Sequence, residues 1–202
     1  MRSRHCFLIA ISASSGTGKT TLCNILQKRR KDIKKIVSWT TRHPRENERH
    51  GIDYFFVKKK EFHQKIKNNY FLEWAPVHGS LYGTPLDRVK EVLKSGKNVL
   101  LNIDVKGALA VQKTSLPTLL IFVLPPSLDV LKKRLAIRNS EQGSDREKRL
   151  AHGSKEISAM GYYDYVVIND NINETVDLLE KIISAEKKER ADSCHPSKRH
   201  HA

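Results

Sequence analysis

Lys19 and Thr20 close the stretch Ala13-Ser14-Ser15-Gly16-Thr17-Gly18-Lys19-Thr20, with Thr21 directly behind. Gly16 and Gly18 free the backbone to wrap an anion with its N–H groups turned inward. The Lys19 side chain is long enough to reach terminal phosphates, and the Thr20 hydroxyl is a ligand for Mg²⁺. That chemistry requires a strand before the loop and a helix after it. The apolar run Phe7-Leu8-Ile9-Ala10-Ile11 and the segment Thr21-Leu22-Cys23-Asn24-Ile25-Leu26 meet both needs. The helix also presents its positive dipole end to the same anion. The general pattern asks for glycine at position 13, where this chain has Ala13, the smallest residue that still disfavours positive φ.

A second constellation begins at Ser38-Trp-Thr-Thr-Arg-His-Pro-Arg45, with Gly51-Ile-Asp-Tyr54 behind it. Two guanidinium forks, Arg42 and Arg45, together with the Tyr54 hydroxyl can clamp a second phosphate through charge-assisted bonds. Alone, the segment is equally well read as a solvated basic loop. Phe71-Leu-Glu73, Leu81-Tyr82-Gly-Thr84-Pro and Val99-Leu-Leu-Asn-Ile-Asp104 follow. Glu73 and Asp104 read individually as ordinary surface carboxylates, but Asp104 closes an apolar strand, and ligands sit at strand carboxyl ends in open α/β sheets.

The elements that must position these residues alternate. Strands are expected over 6–12, 34–38, 98–103, 118–124 and 164–168, and helices over 19–31, 85–95, 105–113, 127–138, 145–160 and 172–189. The alternation predicts an α/β fold, a mostly parallel sheet flanked by helices. Residues 39–84 break it with an inserted α+β unit: a strand at 54–57, a helix at 58–68 and extended chain over 70–84. Residues 134–150 read as a mobile basic flap carrying Arg134, Arg138, Arg146 and Arg149. From about residue 186 the chain is polar and poor in apolar residues, and fraying or disorder is expected.

Length and composition set outer bounds. At 202 residues one compact domain with inserted parts is the default. The mean hydropathy of −0.52 fits a soluble protein, and the apolar run near the start is too short for a membrane helix or signal peptide. Three scattered cysteines, without metal-ligand spacing, fit a reducing cytoplasm. The net charge of +15 favours polyanions, a demand that nucleotides meet as well as nucleic acid. No aromatic or zinc pattern supports specific nucleic-acid recognition.

In this order the segments S-x-T-T-R-x-P-R, G-x-D-Y, F-x-E, Y-G-T and I-D-x-x-G make the chain resemble the guanylate kinases from about residue 7 to 185. The resemblance implies a P-loop NTPase-type core over 1–38, 85–130 and 156–190, a GMP-binding subdomain over 39–84, a helical lid over 131–155 and a basic tail over 191–202. It implies transfer of the ATP γ-phosphoryl group to GMP and dGMP, assisted by Mg²⁺ and lid closure, in a cytoplasmic monomer or homodimer. Arg42, Arg45, Tyr54 and Tyr82 match the positions that hold the GMP phosphate. Glu73 and Asp104 match the carboxylates that read guanine, with Ser38 and Thr84 as hydroxyl partners. Lys19 and the loop from Ser14 to Thr21 match the ATP phosphate site, Asn169 a position near the adenine, and Arg134, Arg138 and Arg149 the arginines of the lid. Asn102 stands where an acidic residue often precedes the Ile-Asp pair, and Asn139 where glycine is usual. Two alternatives stay open: a non-catalytic binding module of the same family, and a P-loop kinase for another phosphorylated acceptor. A working phosphate loop and lid arginines argue against the first, and the paired carboxylates against the second.

Overall fold

The computed structural model describes residues 6–13, 17–127 and 159–193. The apolar run of the first strand, β1 (Leu8–Ala13), is buried along its whole length. Such a run suits a parallel sheet covered on both faces. β1 lies at the centre of a five-stranded sheet in the order β2 (Ile33–Lys35), β7 (Asn98–Asn102), β1, β8 (Thr118–Leu124), β9 (Tyr165–Ile168). Every neighbouring pair in it is parallel. Helix α1 (Lys19–Arg29) covers one face together with the C-terminal helix α5 (Ile172–Ser193), closing a core of Phe7, Ile9, Ile11, Leu22, Leu26, Leu119, Ile121 and Leu179. On the opposite face α3 (Leu86–Lys94) and α4 (Val105–Gln112) bury Leu8, Ala10, Val89, Val99, Leu101, Val111 and Phe122.

Because β7 and β8 flank β1 on opposite sides, the carboxyl end of β1 is the switch point of the sheet, where a crevice opens. The start of α1 at Gly18-Lys19, the Ile103-Asp104 turn after β7 and Asn169 after β9 all meet at this edge.

Residues 39–85 form a second sheet, ordered β4 (Phe55–Phe56), β3 (Trp39–Thr40), β6 (Ser80–Pro85), β5 (Phe71–Val77), with α2 (Lys59–Lys67) between β4 and β5. The β5–β6 hairpin turns through His78 (φ 46°) and Gly79 (φ 78°), both left-handed, as a tight two-residue hairpin loop requires. Gly83 is required by packing: a Cβ there would lie 2.9 Å from Phe71 Cδ1 and 3.0 Å from Phe62 Cζ, two rings that stack at 4.5 Å.

Trp39–Thr40 forms a strand that the sequence did not announce, and two further elements depart from the expectation. The strand expected over 34–38 is Ile33–Lys35, because the chain then leaves for the second sheet. The C-terminal helix runs on through Ser193, past residue 186, where fraying was expected. Its last turns are held by Lys187 on Asp32 at 2.8 Å and by Arg190, whose Nη2 donates to the Thr118 carbonyl at 3.1 Å while the guanidinium covers the Phe7 ring. The expected helix over 145–160 lies almost wholly outside the described residues, as does nearly all of that over 127–138; Met160–Tyr162 is a single 3-10 turn.

Candidate active site

One cleft joins the two constellations. Ala13, Thr17, Gly18, Lys19, Thr20 and Asn102 line one end, and Ser38, Arg45, Glu48, Tyr54, Glu73, Tyr82 and Asp104 the other.

At the first end the backbone carries the chemistry. Gly18 has φ 89° and caps α1, which has no side-chain cap and no acidic residue in its first turn. The positive end of the helix therefore faces the cleft with no acidic side chain in its first turn, a setting suited to an anion. Lys19 Nζ reaches across to donate to the Ile103 carbonyl at 2.5 Å, which keeps the ammonium over the carboxyl ends of β1 and β7. Ala13 ends β1 in register with Val123 and is not among the described residues with positive φ, so its Cβ brings no strain. Thr20 is exposed, and its Oγ1 lies 3.3 Å from Asn102 Nδ2. Among the described residues no group of three or more His, Cys, Asp or Glu side chains is arranged to hold a metal ion. One exposed hydroxyl at a helix N-terminus nevertheless fits Mg²⁺, which is usually bound through one or two protein oxygens plus substrate phosphates. Cys23, one turn along α1, is buried, and its thiol is pushed up to about 11 by that burial, so it is no nucleophile.

Asn169 is buried behind the loop. Its Nδ2 donates to the Thr17 carbonyl at 2.6 Å, and its Oδ1 lies 3.0 Å from Thr175 Oγ1. Both ends of the amide are thus engaged within the protein.

At the second end side chains carry the chemistry. Arg42 Nε donates to the Tyr82 hydroxyl at 3.1 Å, Nη1 to the His43 carbonyl at 2.7 Å, and Nη2 lies 2.9 Å from both carboxylate oxygens of Glu48. Tyr54 packs against Tyr82 and lies under the same guanidinium, and burial pushes its phenol up to about 12, so the hydroxyl stays protonated and able to donate.

Deeper in the cleft, Glu73 and Thr84 face each other across the β5–β6 ladder, and Thr84 Oγ1 donates to Glu73 Oε1 at 2.5 Å. Thr84 is fully buried behind the carboxylate. Burial, and then the charge of Asp104, push the Glu73 carboxyl up to about 7 against the Thr84 bond. Asp104 caps α4, its side chain accepting from the Gly107 N–H at 3.0 Å. Gly107 is the point of closest approach: a Cβ there would stand 2.8 Å from Glu73 Oε2. A buried carboxylate with a second one beside it can accept two neighbouring N–H donors from a planar base.

The sequence matches the family model described as Guanylate kinase over residues 6–186. The chain belongs to the guanylate kinase family. It is similar to the guanylate kinase of Clostridium tetani, 46% identical over 180 residues that cover 89% of this chain and 86% of the relative. The Clostridium perfringens guanylate kinase is 44% identical over 180 residues, 89% of this chain and 83% of the relative. Among solved structures, guanylate kinase from Anaplasma phagocytophilum superposes with a TM-score of 0.76 at 32% identity, covering 93% of this chain and 88% of the other. The doubly covered parallel sheet and the second mixed sheet are the fold of that family.

Of the site residues expected from sequence, the cleft gathers Ala13, Thr17, Gly18, Lys19, Thr20, Ser38, Arg45, Tyr54, Glu73, Tyr82 and Asp104. Arg42, Thr84 and Asn169 stand in contact with its walls, while Thr21 is exposed on α1. Ser14, Ser15, Gly16, Arg134, Arg138, Asn139 and Arg149 lie outside the described residues. Sequence reasoning missed Glu48, which sits in Arg45-Glu-Asn-Glu-Arg49 and looks like one more exposed charge. It also missed the steric need for Gly107. The one available signal was the position of that glycine three residues after Asp104, the first-turn site whose N–H a helix cap takes.

Proposed function

We propose that this protein transfers the γ-phosphoryl group of ATP to GMP, giving ADP and GDP, and that dGMP is accepted as well. The observation that carries the reading is a single cleft with an uncapped helix terminus and Lys19 at one end and a buried carboxylate, Glu73, beside Asp104 at the other. Guanine offers N1–H and N2–H₂ donors to these carboxylates, and the Ser38 hydroxyl is available to its O6. Adenine would set an unprotonated N1 against Glu73 and leave a buried charge unpaired, a mismatch that costs about 10⁴-fold in comparable sites.

In this reading Arg42, Arg45, Tyr54 and Tyr82 hold the phosphate of GMP. Its oxygen is already an anionic nucleophile, so catalysis is positioning and charge neutralisation with no strong general base. Lys19 moves from the Ile103 carbonyl onto the transferring phosphoryl, and the first-turn amides of α1 hold the β-phosphate. Thr20 would hold Mg²⁺, which supplies further neutralisation of the ATP phosphates when bound. Arg134, Arg138 and Arg149 close over the phosphoryl group from a lid over 131–155, on the strength of their match to the family pattern in sequence. Water is excluded on closure, which limits hydrolysis of ATP. Residues 39–84 act as the GMP-binding part and the parallel sheet as the ATP-binding part. Among the described residues no helix is long and apolar enough to cross a membrane.

A coupled assay of ADP release with Mg-ATP, comparing GMP, dGMP, AMP, CMP and UMP, tests the proposal. Turnover confined to GMP and dGMP is expected. Folded protein that binds GMP yet turns over none of the five would be a binding module instead.

A further inference from the structure

The carboxylate of Glu48 stands between the two arginines of the second constellation. Arg42 Nη2 lies 2.9 Å from both of its oxygens, and the backbone N–H of Arg45 donates to Oε2, also at 2.9 Å. The bond is returned by the main chain, since Glu48 N donates to the Arg45 carbonyl at 3.0 Å. The turn from 45 to 48 is therefore closed from both ends, and the same carboxylate fixes the Arg42 fork. Glu48 and Arg42 are each only 18% exposed, whereas Arg45 is 50% exposed and its Nη1 stands 4.0 Å from Glu48.

Two effects of such a carboxylate oppose each other. It is an anion beside a site for an anion, and like charges repel. It also holds a flexible guanidinium in one orientation, which removes an ordering cost from binding. The geometry decides between them. Arg42 is held at three nitrogens, by Tyr82, His43 and Glu48, in a plane over the Tyr54 and Phe56 rings. A guanidinium has five N–H groups, so two remain to meet a phosphate from a fork that no longer needs ordering. Arg45, weakly engaged by its side chain but anchored by its backbone, is the adaptable partner.

We propose that Glu48 is a positioning residue of the phosphate clamp: it orients Arg42 and pins the Arg45 turn, so that removing its charge weakens GMP binding instead of relieving repulsion. This rests on the reading of Arg42, Arg45, Tyr54 and Tyr82 as the site of the GMP phosphate.

Steady-state kinetics of the full chain with GMP, with inosine monophosphate and with ATP test it, in Glu48→Ala, Glu48→Gln and Arg42→Ala. Inosine monophosphate keeps the phosphate and lacks the N2 amine, so the ratio of its kcat/KM to that of GMP reports the base end alone. Loss of a charged hydrogen-bonding partner is expected to raise the KM for GMP about tenfold or more in Glu48→Ala. kcat, the KM for ATP and the GMP-to-inosinate ratio should hold. In Glu48→Gln the amide oxygen still accepts one of the two bonds, and the KM for GMP should fall between those of Glu48→Ala and the parent. A KM for GMP that is unchanged or lower in Glu48→Gln would show that repulsion wins and would overturn the proposal. So would a KM for ATP or a GMP-to-inosinate ratio that moves in parallel, because the damage would then be general. An unchanged KM for GMP in Arg42→Ala would overturn the clamp reading itself, whereas a large rise there with none in the Glu48 variants would overturn the role of Glu48 alone.

Discussion

At the α1 end the cleft presents backbone, and at the β5–β6 end it presents side chains. The strand that delivers the first end is buried throughout, and the amides that face the cleft need only glycine and a helix start to be aimed. The second end hangs on pairs brought together from a distance, Arg42 with Tyr82 and Glu73 with Thr84, in a sheet whose aromatic residues Trp39, Tyr54, Phe55 and Phe56 are half-buried. A backbone site tolerates most side-chain changes but depends on loop shape. A side-chain site fails one contact at a time. The two ends should accordingly be separable by mutation.

On the proposed reading Lys19 is the charged side chain of the backbone end that meets the transferring phosphoryl group, and its loss should produce the largest effect. Lys19→Met is expected to lower kcat by about 10²-fold or more, the range for removing one preorganised donor from a developing charge. Calorimetric affinity for GMP should stay within about threefold, since the substitution removes an interaction made in the transition state. A comparable loss of GMP affinity would mean that the two ends act as one.

Glu73→Gln should follow, with kcat/KM for GMP down about 10²-fold and preference over other purine monophosphates relaxed, because the amide presents a donor where guanine needs an acceptor. The parent should also show a pH dependence that the variant lacks. On the proposed reading Glu73 must be ionised to accept from guanine, and its carboxyl is held up at about 7, so kcat/KM for GMP should fall as the pH drops through about 7. In Glu73→Gln only the ionisation of the substrate phosphate, at about pH 6, should remain. Stability runs the other way. The folded-state value is raised from 4.5 to about 7, so between those values the folded protein keeps a proton that the unfolded chain has released. Unfolding free energy should therefore fall as pH rises through that window, and a flat difference between parent and Glu73→Gln across it would contradict the assignment.

Asn169 sharpens the comparison from the other side. It clips the Thr17 carbonyl to the start of α5, so Asn169→Ala removes two buried hydrogen bonds, at about 1–3 kcal/mol of stability. The KM for ATP should rise while that for GMP holds. A residue that reads adenine would change the choice between ATP and GTP as donor, whereas a clip that shapes the loop would weaken both alike.

These differences explain what was legible beforehand. The stretch from 13 to 20 could be singled out because backbone recognition of an anion asks for a compact pattern of glycine, lysine and hydroxyl between a strand and a helix, and the structure supplies that strand and helix. Glu73 and Asp104 could be read only in combination, since a carboxylate carries no mark of its future burial. Glu48 could not be read at all: its role depends on a turn that folds the 45–48 segment back on itself and on an arginine six positions earlier.

The end of α5 was misread for a related reason, and it gives the smallest expected effect. Residues 186–193 have no apolar stripe to predict a docked helix. The anchor is Arg190, which ion-pairs with Glu186 at 2.6 Å, donates to the Thr118 carbonyl and lays its guanidinium 4.9 Å from the Phe7 ring. An arginine covers apolar surface with its stem and plane while its nitrogens stay bonded, so it can fasten a polar helix without adding to hydrophobicity. Arg190→Ala should cost about 0.5–1.5 kcal/mol, one cation–π contact and a partly exposed pair. Its signature should be local, namely faster amide exchange in the last two turns of α5 with kcat and both KM values unchanged, because Phe7 lies at the end of β1 away from the cleft. Arg190→Lys should recover little, since a point charge cannot stack on the ring and reach the carbonyl together. Recovery by lysine would reduce the anchor to simple charge pairing.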